Sequence, residues 1–186
     1  MKKALIAMSG GVDSSVAAKL MLDAGYDCMG ATMKLFDSDD ILMAQREKIC
    51  CSLSDVEDAR SVARRLGMPY QVFNFKGDFK EKVIDKFIAT YEAGGTPNPC
   101  IDCNRYLKFD QLFVRALELG CDYVVTGHYA QISYDEAKGR YLLRKAVDPL
   151  KDQSYVLYSL TQEQLAHAMF PLGGLHKTQV REIAEK

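Results

Sequence analysis

Seven consecutive residues, Ser9-Gly10-Gly11-Val12-Asp13-Ser14-Ser15, stand between a short apolar run and a segment of helical periodicity. Two glycines let the backbone approach a ligand closely, the serines add hydroxyl donors, and the helix that follows aims its unpaired N–H groups into the loop. An anion belongs there, with Asp13 as a carboxylate able to face a metal ion. The plainer alternative is a tight strand-to-helix turn capped by Asp13 or a serine. Neither G-x-x-x-x-G-K-[ST] nor G-x-G-x-x-G is present, which sets aside the lysine-bearing phosphate loop and the dinucleotide fingerprint.

A second stretch, Gly95-Thr96-Pro97-Asn98-Pro99-Cys100-Ile101-Asp102-Cys103-Asn104, fixes its backbone with two prolines and presents thiols just before a helix. A helix N-terminus favours thiolate, and Arg105 and Lys108 add positive charge near Cys103. Cys100 and Cys103 also have the spacing of half a zinc site, but Cys50-Cys51 does not supply the other half. Two further residues lie at expected strand ends. Met33 could offer a thioether to a planar ring, and Thr126-Gly127-His128 ends a strand where a glycine permits close approach. A core methionine and a satisfied surface histidine are the plain alternatives.

These residues need elements to position them. Ala4 to Ser9 reads as a buried strand and Asp13 onward as a helix with Val16, Ala17, Leu20, Met21 and Ala24 on one face. Strands are expected over Cys28 to Phe36, Tyr70 to Phe75 and Tyr123 to Thr126. Helices are expected over Ser54 to Leu66, Phe79 to Tyr91 and from Cys103 to about Leu119, with an aperiodic loop from Asp37 to Cys51. Alternating strands and helices imply an α/β fold: a Rossmann-like parallel sheet with helices on both faces. In such sheets a ligand sits outside the carboxyl ends of the strands. After Tyr129 the pattern changes to a hairpin (Gln131 to Tyr134, Arg140 to Leu143) and two helical segments, about Tyr155 to Met169 and from Lys177 onward. The expected division is therefore 1–130, a catalytic unit, and 131–186, a small hairpin and helical extension. The last helix carries no stop signal, which suggests a fragment of something longer.

The chain has 186 residues, a formal charge of −1, and 48% hydrophobic and 26% charged residues. That mix excludes disorder and a disulfide-stapled miniprotein, and no apolar run approaches the ~20 residues of a membrane span. Near-neutral charge argues against bulk electrostatic binding of nucleic acid. The one positive run is Lys138 to Lys151, five basic residues against one acidic. Without an export signal, the six cysteines point to a reducing, cytoplasmic setting. Cys28 and Cys121 read as core residues.

S-G-G-x-D-S resembles the signature of the PP-loop ATP pyrophosphatases, adenine nucleotide alpha-hydrolase-like domains that cleave ATP between its α- and β-phosphates. With Thr96-Pro97-Asn98-Pro99, Cys103-Asn104, Lys108-Phe109, Thr126-Gly127-His128-Tyr129 and Lys151-Asp152-Gln153-Ser154-Tyr155 in order, the whole chain is similar to the bacterial tRNA-specific 2-thiouridylases. That resemblance implies ATP with Mg²⁺, adenylation of the 2-carbonyl oxygen of a wobble uridine in tRNA, and displacement of AMP by a persulfide sulfur brought by a donor protein. It implies ATP contacts at Ala7, Met8, Ser9, Gly10, Gly11, Val12, Asp13, Ser14, Met33 and Gly127, and catalytic roles for Asp13 and the nucleophile Cys103. It implies target-base or tRNA contacts at Asn98, Pro99, Cys100, His128, Lys151, Asp152 and Gln153. One departure is that the family often carries aspartate where Cys100 stands. A Cys100-x-x-Cys103 pair suits a 4Fe-4S cluster with a third cysteine, or an internal disulfide, as well as persulfide chemistry. The family's persulfide carrier lies downstream of Lys177, and none of the six cysteines matches it, so a fragment of this length is expected to bind ATP without completing sulfur transfer. An acyl-adenylating ligase or amidotransferase, and an ATP-binding module without chemistry, are the competing readings.

Overall fold

The computed structural model describes residues 1–36 and 53–185. The expected loop from Asp37 to Cys51, with Cys50 and Cys51, lies outside them.

The chain runs β1 (Lys3–Ala7), α1 (Val12–Asp23), β2 (Asp27–Lys34), α2 (Leu53–Arg65) and β3 (Tyr70–Asn74). A helical arm follows: α3 (Lys76–Phe79), a π-wound stretch (Lys80–Ile84) and α4 (Asp85–Glu92). A second arm comprises α5 (Pro99–Asp102), a π-wound stretch (Cys103–Gln111) and α6 (Leu112–Glu118). Then come β4 (Tyr123–Val125), the hairpin β5 (Ala130–Asp135) and β6 (Arg140–Lys145), a 3₁₀ turn (Ser154–Val156), α7 (Gln162–Ala166), β7 (Ala168–Met169) and α8 (Lys177–Ala184).

Five strands form one sheet in the order β3-β2-β1-β4-β7, every pairing parallel. β1 is central. Its period-2 alternation puts Leu5 into one core with Val83, Leu107, Phe109, Leu112 and Phe170, and Ala4 and Ile6 into another with Ala18, Met21, Ala59 and Ala63. The two helical arms thus cover one face and α1 and α2 the other, as expected for an α/β sheet. Cys28 and Cys121 are buried, as core residues should be.

One expected helix is different. Tyr155 to Met169 divides into the 3₁₀ turn, α7 and β7. Thr161 and Gln164 form a reciprocal capping box that starts α7 at Gln162, and β7 completes the sheet edge by pairing with β4 (Val124 with Ala168, Val125 with Met169). Two residues of strand carry no readable periodicity. The chain after residue 130 therefore reaches back into the main sheet.

A third cluster, Val16, Ala17, Tyr129, Leu172 and Val180, joins the first helix to the last. Gly173 is what allows the chain to make that return. A Cβ on it would stand 1.7 Å from the Ala130 carbonyl oxygen, and its own carbonyl accepts from the Val147 N–H at 2.9 Å.

Candidate active site

Loop 9–15 leaves the carboxyl end of β1 and is folded by its own serines. The Ser14 hydroxyl accepts from the Ser9 N–H at 3.2 Å and donates to the Gly11 carbonyl at 3.0 Å, and the Ser15 hydroxyl donates to the same carbonyl at 3.0 Å. The Ser14 and Ser15 hydroxyls are thus turned inward rather than offered to a ligand, a correction to their expected role, while Ser9 is exposed. Further anion donors are the first-turn N–H groups of α1, which by helix geometry have no partner one turn back. Gly11 is the N-cap, extended (φ −83°, ψ 164°) and supplying no side-chain cap.

The two glycines have separate reasons. Gly10 has φ +75°, and a Cβ there would lie 2.5 Å from the Asp55 carbonyl oxygen, so its bare side is filled by the start of α2. Among the described residues, a Cβ on Gly11 would meet only Ser9 Oγ, at 3.8 Å; this glycine is the one that leaves room. Gly127 was expected to admit a nucleotide, but its Cβ position points at the backbone of Asp13 and Ser14, at 2.9 Å. It is a packing glycine that seats the first turn of α1 against the end of β4.

Asp13 is the centre of a network. Its Oδ1 accepts from the Tyr129 hydroxyl at 2.8 Å and from Lys177 Nζ at 2.5 Å. Burial, then the bond to Asp13, pushes the Tyr129 phenol well above its ordinary range, so Tyr129 stays a donor. Gln153 clamps Tyr129 from behind: its N–H donates to the Tyr129 carbonyl at 2.8 Å, and its side-chain oxygen accepts the Tyr129 N–H at 3.1 Å. Asp152 accepts from the Ala146 N–H at 2.8 Å and the Ser154 hydroxyl at 2.8 Å. Of the expected tRNA-contacting residues at 151–153, Lys151 is exposed, whereas Asp152 and Gln153 spend these polar atoms inside the chain.

Three other expected contacts prove buried. Met8 is 2% exposed, and its N–H and carbonyl are bonded to Ala31 and Thr32 of β2. Met33 is 5% exposed and packs in the core with Leu35 and Phe75, so its thioether faces inward. His128 is not a surface residue: it is 7% exposed, its Nδ1 lies 2.6 Å from the Thr126 hydroxyl, and its ring packs against Phe109 and Phe170. Desolvation, helped by the Lys108 charge, holds its pKa well below 6.5. A neutral, buried imidazole favours the fold above the unfolded-state value of 6.5, and that contribution is lost as pH falls below it. Urea midpoints measured between pH 7.5 and 5.5 should therefore decline in the wild type, by about 1.4 kcal/mol per unit at most, and more gently in His128→Gln. Equal slopes would contradict this account.

The thiol loop is anchored separately. Asn98 caps α5, its side chain accepting the Cys100 N–H at 3.0 Å, and Pro99 opens the helix. The helix thus begins before Cys100, not at Cys103: Cys100 lies in the first turn and is exposed, while Cys103 is a turn further on, half-buried against the core. Asn104 Nδ2 donates to the Cys100 carbonyl at 2.9 Å, and Lys86 of α4 pairs with Asp102 at 2.5 Å. The two cysteines are not bonded to each other in this structure; Cys100 is exposed and Cys103 half-buried. Among the described residues no three His, Cys, Asp or Glu side chains are grouped as metal ligands. The pair does not by itself fit a 4Fe-4S cluster, which draws on four thiolates as a rule. No helix among the described residues is long and apolar enough to cross a membrane.

Residue spacing alone missed the Tyr129–Asp13–Lys177 network. The signal that could have found it is a loop built for an anion that has its own carboxylate and no basic residue.

The fold is shared with solved structures of low sequence identity. One is a 4-thiouridine synthetase in complex with RNA and bound ATP, with TM-score 0.61 and 20% identity over 99% of this chain and 40% of that one. In sequence, the chain is 58% identical over 185 residues to the tRNA-specific 2-thiouridylase MnmA of Clostridioides difficile, covering all of this chain and 51% of that protein. It is 56% identical over 189 residues to the MnmA of Symbiobacterium thermophilum, covering all of this chain and 48% of that protein. The chain spans about half the length of the curated relatives it matches. Residues 2–186 match the family model described as the tRNA methyl transferase HUP domain, and to that family this chain belongs.

Proposed function

We propose that this chain is the ATP-using part of an enzyme that converts the wobble uridine of tRNA to 2-thiouridine. The observation that carries the reading is the joint presence of a phosphate loop with Asp13 at its mouth and a capped, proline-fixed loop bearing Cys100 and Cys103. An acyl-adenylating ligase or an ATP-binding module has no use for the second. Relatives named 2-thiouridylase along the full length of this chain support the same choice.

In this reading the backbone from Ser9 to Ser14 receives ATP, with Ala7 and Met8 placing it from β1, Gly127 holding the loop in place and Met33 contributing through β2 rather than its side chain. Asp13, about one-third exposed, is a hard carboxylate of the kind Mg²⁺ takes, and the metal would there neutralise phosphate charge. The uridine 2-oxygen attacks the α-phosphorus and pyrophosphate leaves. The terminal sulfur of a cysteine persulfide then attacks C2, and AMP departs with the oxygen. Cys103 Sγ attacks the carrier's inner sulfur, the S–S bond breaks toward the base, and the products are 2-thiouridine and a Cys103–carrier disulfide for external thiols to reduce. Asn98, Pro99 and Cys100, at the open edge of the thiol loop, receive the base, and Lys151 meets the RNA backbone. His128, Asp152 and Gln153 support these surfaces from within. The sulfur reaches the carrier from a separate donor protein.

The test is nucleoside mass spectrometry of tRNA from a thiouridylase-null bacterial host carrying the full-length gene with its own sulfur donor. Restored wobble 2-thiouridine is the expected result. A folded, well-expressed protein that restores none would overturn the reading.

A further inference from the structure

Loop 9–15 contains no lysine or arginine and carries the negative charge of Asp13, yet it is shaped for an anion. A polyphosphate brought to this loop needs a cation. Lys177, distant by 164 residues in sequence, meets the loop: its Nζ donates to Asp13 Oδ1 and lies 5.8 Å from the Tyr129 ring centroid.

Lys177 is held in place by more than this ion pair. Its backbone N–H donates to Asp148 Oδ2 at 3.0 Å, and that bond leads the causes that hold the Asp148 carboxyl below its usual range. Asp148 Oδ1 accepts from the Leu150 N–H at 3.0 Å, and the His176 N–H donates to the Gln179 side chain at 2.8 Å. Val180, one turn further along α8, is fully buried against Val16 and Ala17 of α1. The start of α8 is thus fixed against the same helix whose N-terminus forms the loop, while the Lys177 side chain keeps 22% of its surface exposed.

We propose that Lys177 is the phosphate-binding cation of this loop. With no nucleotide present its ammonium is parked on Asp13. When ATP enters, the ammonium turns from Asp13 to the β- and γ-phosphate oxygens, and the released carboxylate faces the metal side. The lysine that other phosphate loops carry within the loop is supplied here by α8. The proposal rests on the ATP reading of the preceding section and assigns a residue to it.

The test compares the full-length wild type with Lys177→Met, which keeps the packed stem without the charge, and with Lys177→Arg. Equilibrium binding of ATP and of AMP is measured with Mg²⁺ present, and folding is checked by thermal unfolding. Lys177→Met should weaken ATP binding by about tenfold or more while AMP binding changes by less than about twofold, because only ATP carries the phosphates that the ammonium meets. Lys177→Arg should recover part of the loss. Wild type that binds neither nucleotide would refute the ATP reading itself. Wild type that binds ATP, with Lys177→Met either unchanged or equally weakened for ATP and AMP, would overturn the assignment of Lys177. Reductive methylation of wild-type Lys177 reads the same contact without a substitution: protection by ATP but not AMP supports it, and equal labelling with both refutes it.

Discussion

Full-length protein carrying Cys103→Ser is expected to fold, bind tRNA and release pyrophosphate from ATP, yet leave the wobble uridine without sulfur. Loss of a sulfur nucleophile should cut 2-thiouridine formation by on the order of 10³-fold or more, since a serine hydroxyl is neither ionised near neutral pH nor able to take part in S–S exchange. Serine is close in size to cysteine and the site is only half-buried, so little stability should be lost. Cys100→Ser is the matched control: it alters an exposed first-turn thiol and should leave thiolation measurable. The readouts are nucleoside mass spectrometry and pyrophosphate release on the same samples. Equal thiolation in wild type and Cys103→Ser would move the nucleophile to Cys100.

Gly173→Ala should produce the largest loss of stability of the glycine-to-alanine substitutions in this chain. The new Cβ would sit 1.7 Å from the Ala130 carbonyl oxygen and 2.5 Å from its carbonyl carbon. Both are backbone atoms at the start of β5, so no side chain can swing aside; the segment around Leu172 must move off the hairpin. That would break the Val147 N–H bond to the Gly173 carbonyl and pull Leu172 from its cluster with Tyr129 and Val180. A cost of at least about 3 kcal/mol is expected, or roughly 10 °C in thermal midpoint for a domain of this size. Gly174→Ala, one residue on, meets nothing within 4 Å among the described residues and should be close to neutral. Similar midpoints for the two variants would show that the contact relaxes easily.

Where a run was long and its period clear, residue patterns located the elements within a few positions. The alternating Leu5 and Ile6 of β1, Val16, Ala17 and Met21 on the buried face of α1, and the Lys138-Gly139 hairpin turn are of this kind, whereas Ala24 lies past the end of α1 and is exposed. They failed where the decisive partner was remote. Nothing near Ala168 says that two residues will close a sheet edge, because the reason is the open side of β4 more than forty residues earlier. Met33 and His128 lie at strand ends that do face the site, but residue type cannot reveal which way a side chain turns; their packing against Phe75 and against Phe109 and Phe170 decided that. The glycines of loop 9–15 were legible as a close approach, whereas what approaches Gly10 is the Asp55 backbone. The motif at 151–153 was legible as a block, but Gln153 serves through Tyr129.

The pairing of Lys177 with Asp13 also has a consequence for the order in which the molecule is built. Closing a contact across 164 residues costs chain entropy that grows only slowly with length, so the separation is tolerable at equilibrium. In time it matters more, because a chain made from its amino end folds its early segments first. β1 to β4 can assemble, with the loop in its turn, before α8 exists. Such a nascent chain has a phosphate cradle with an uncompensated carboxylate and lacks its ammonium, so it is expected to hold ATP poorly. Although the loop is encoded at the start of the chain, the nucleotide site would become competent only once α8 has been made.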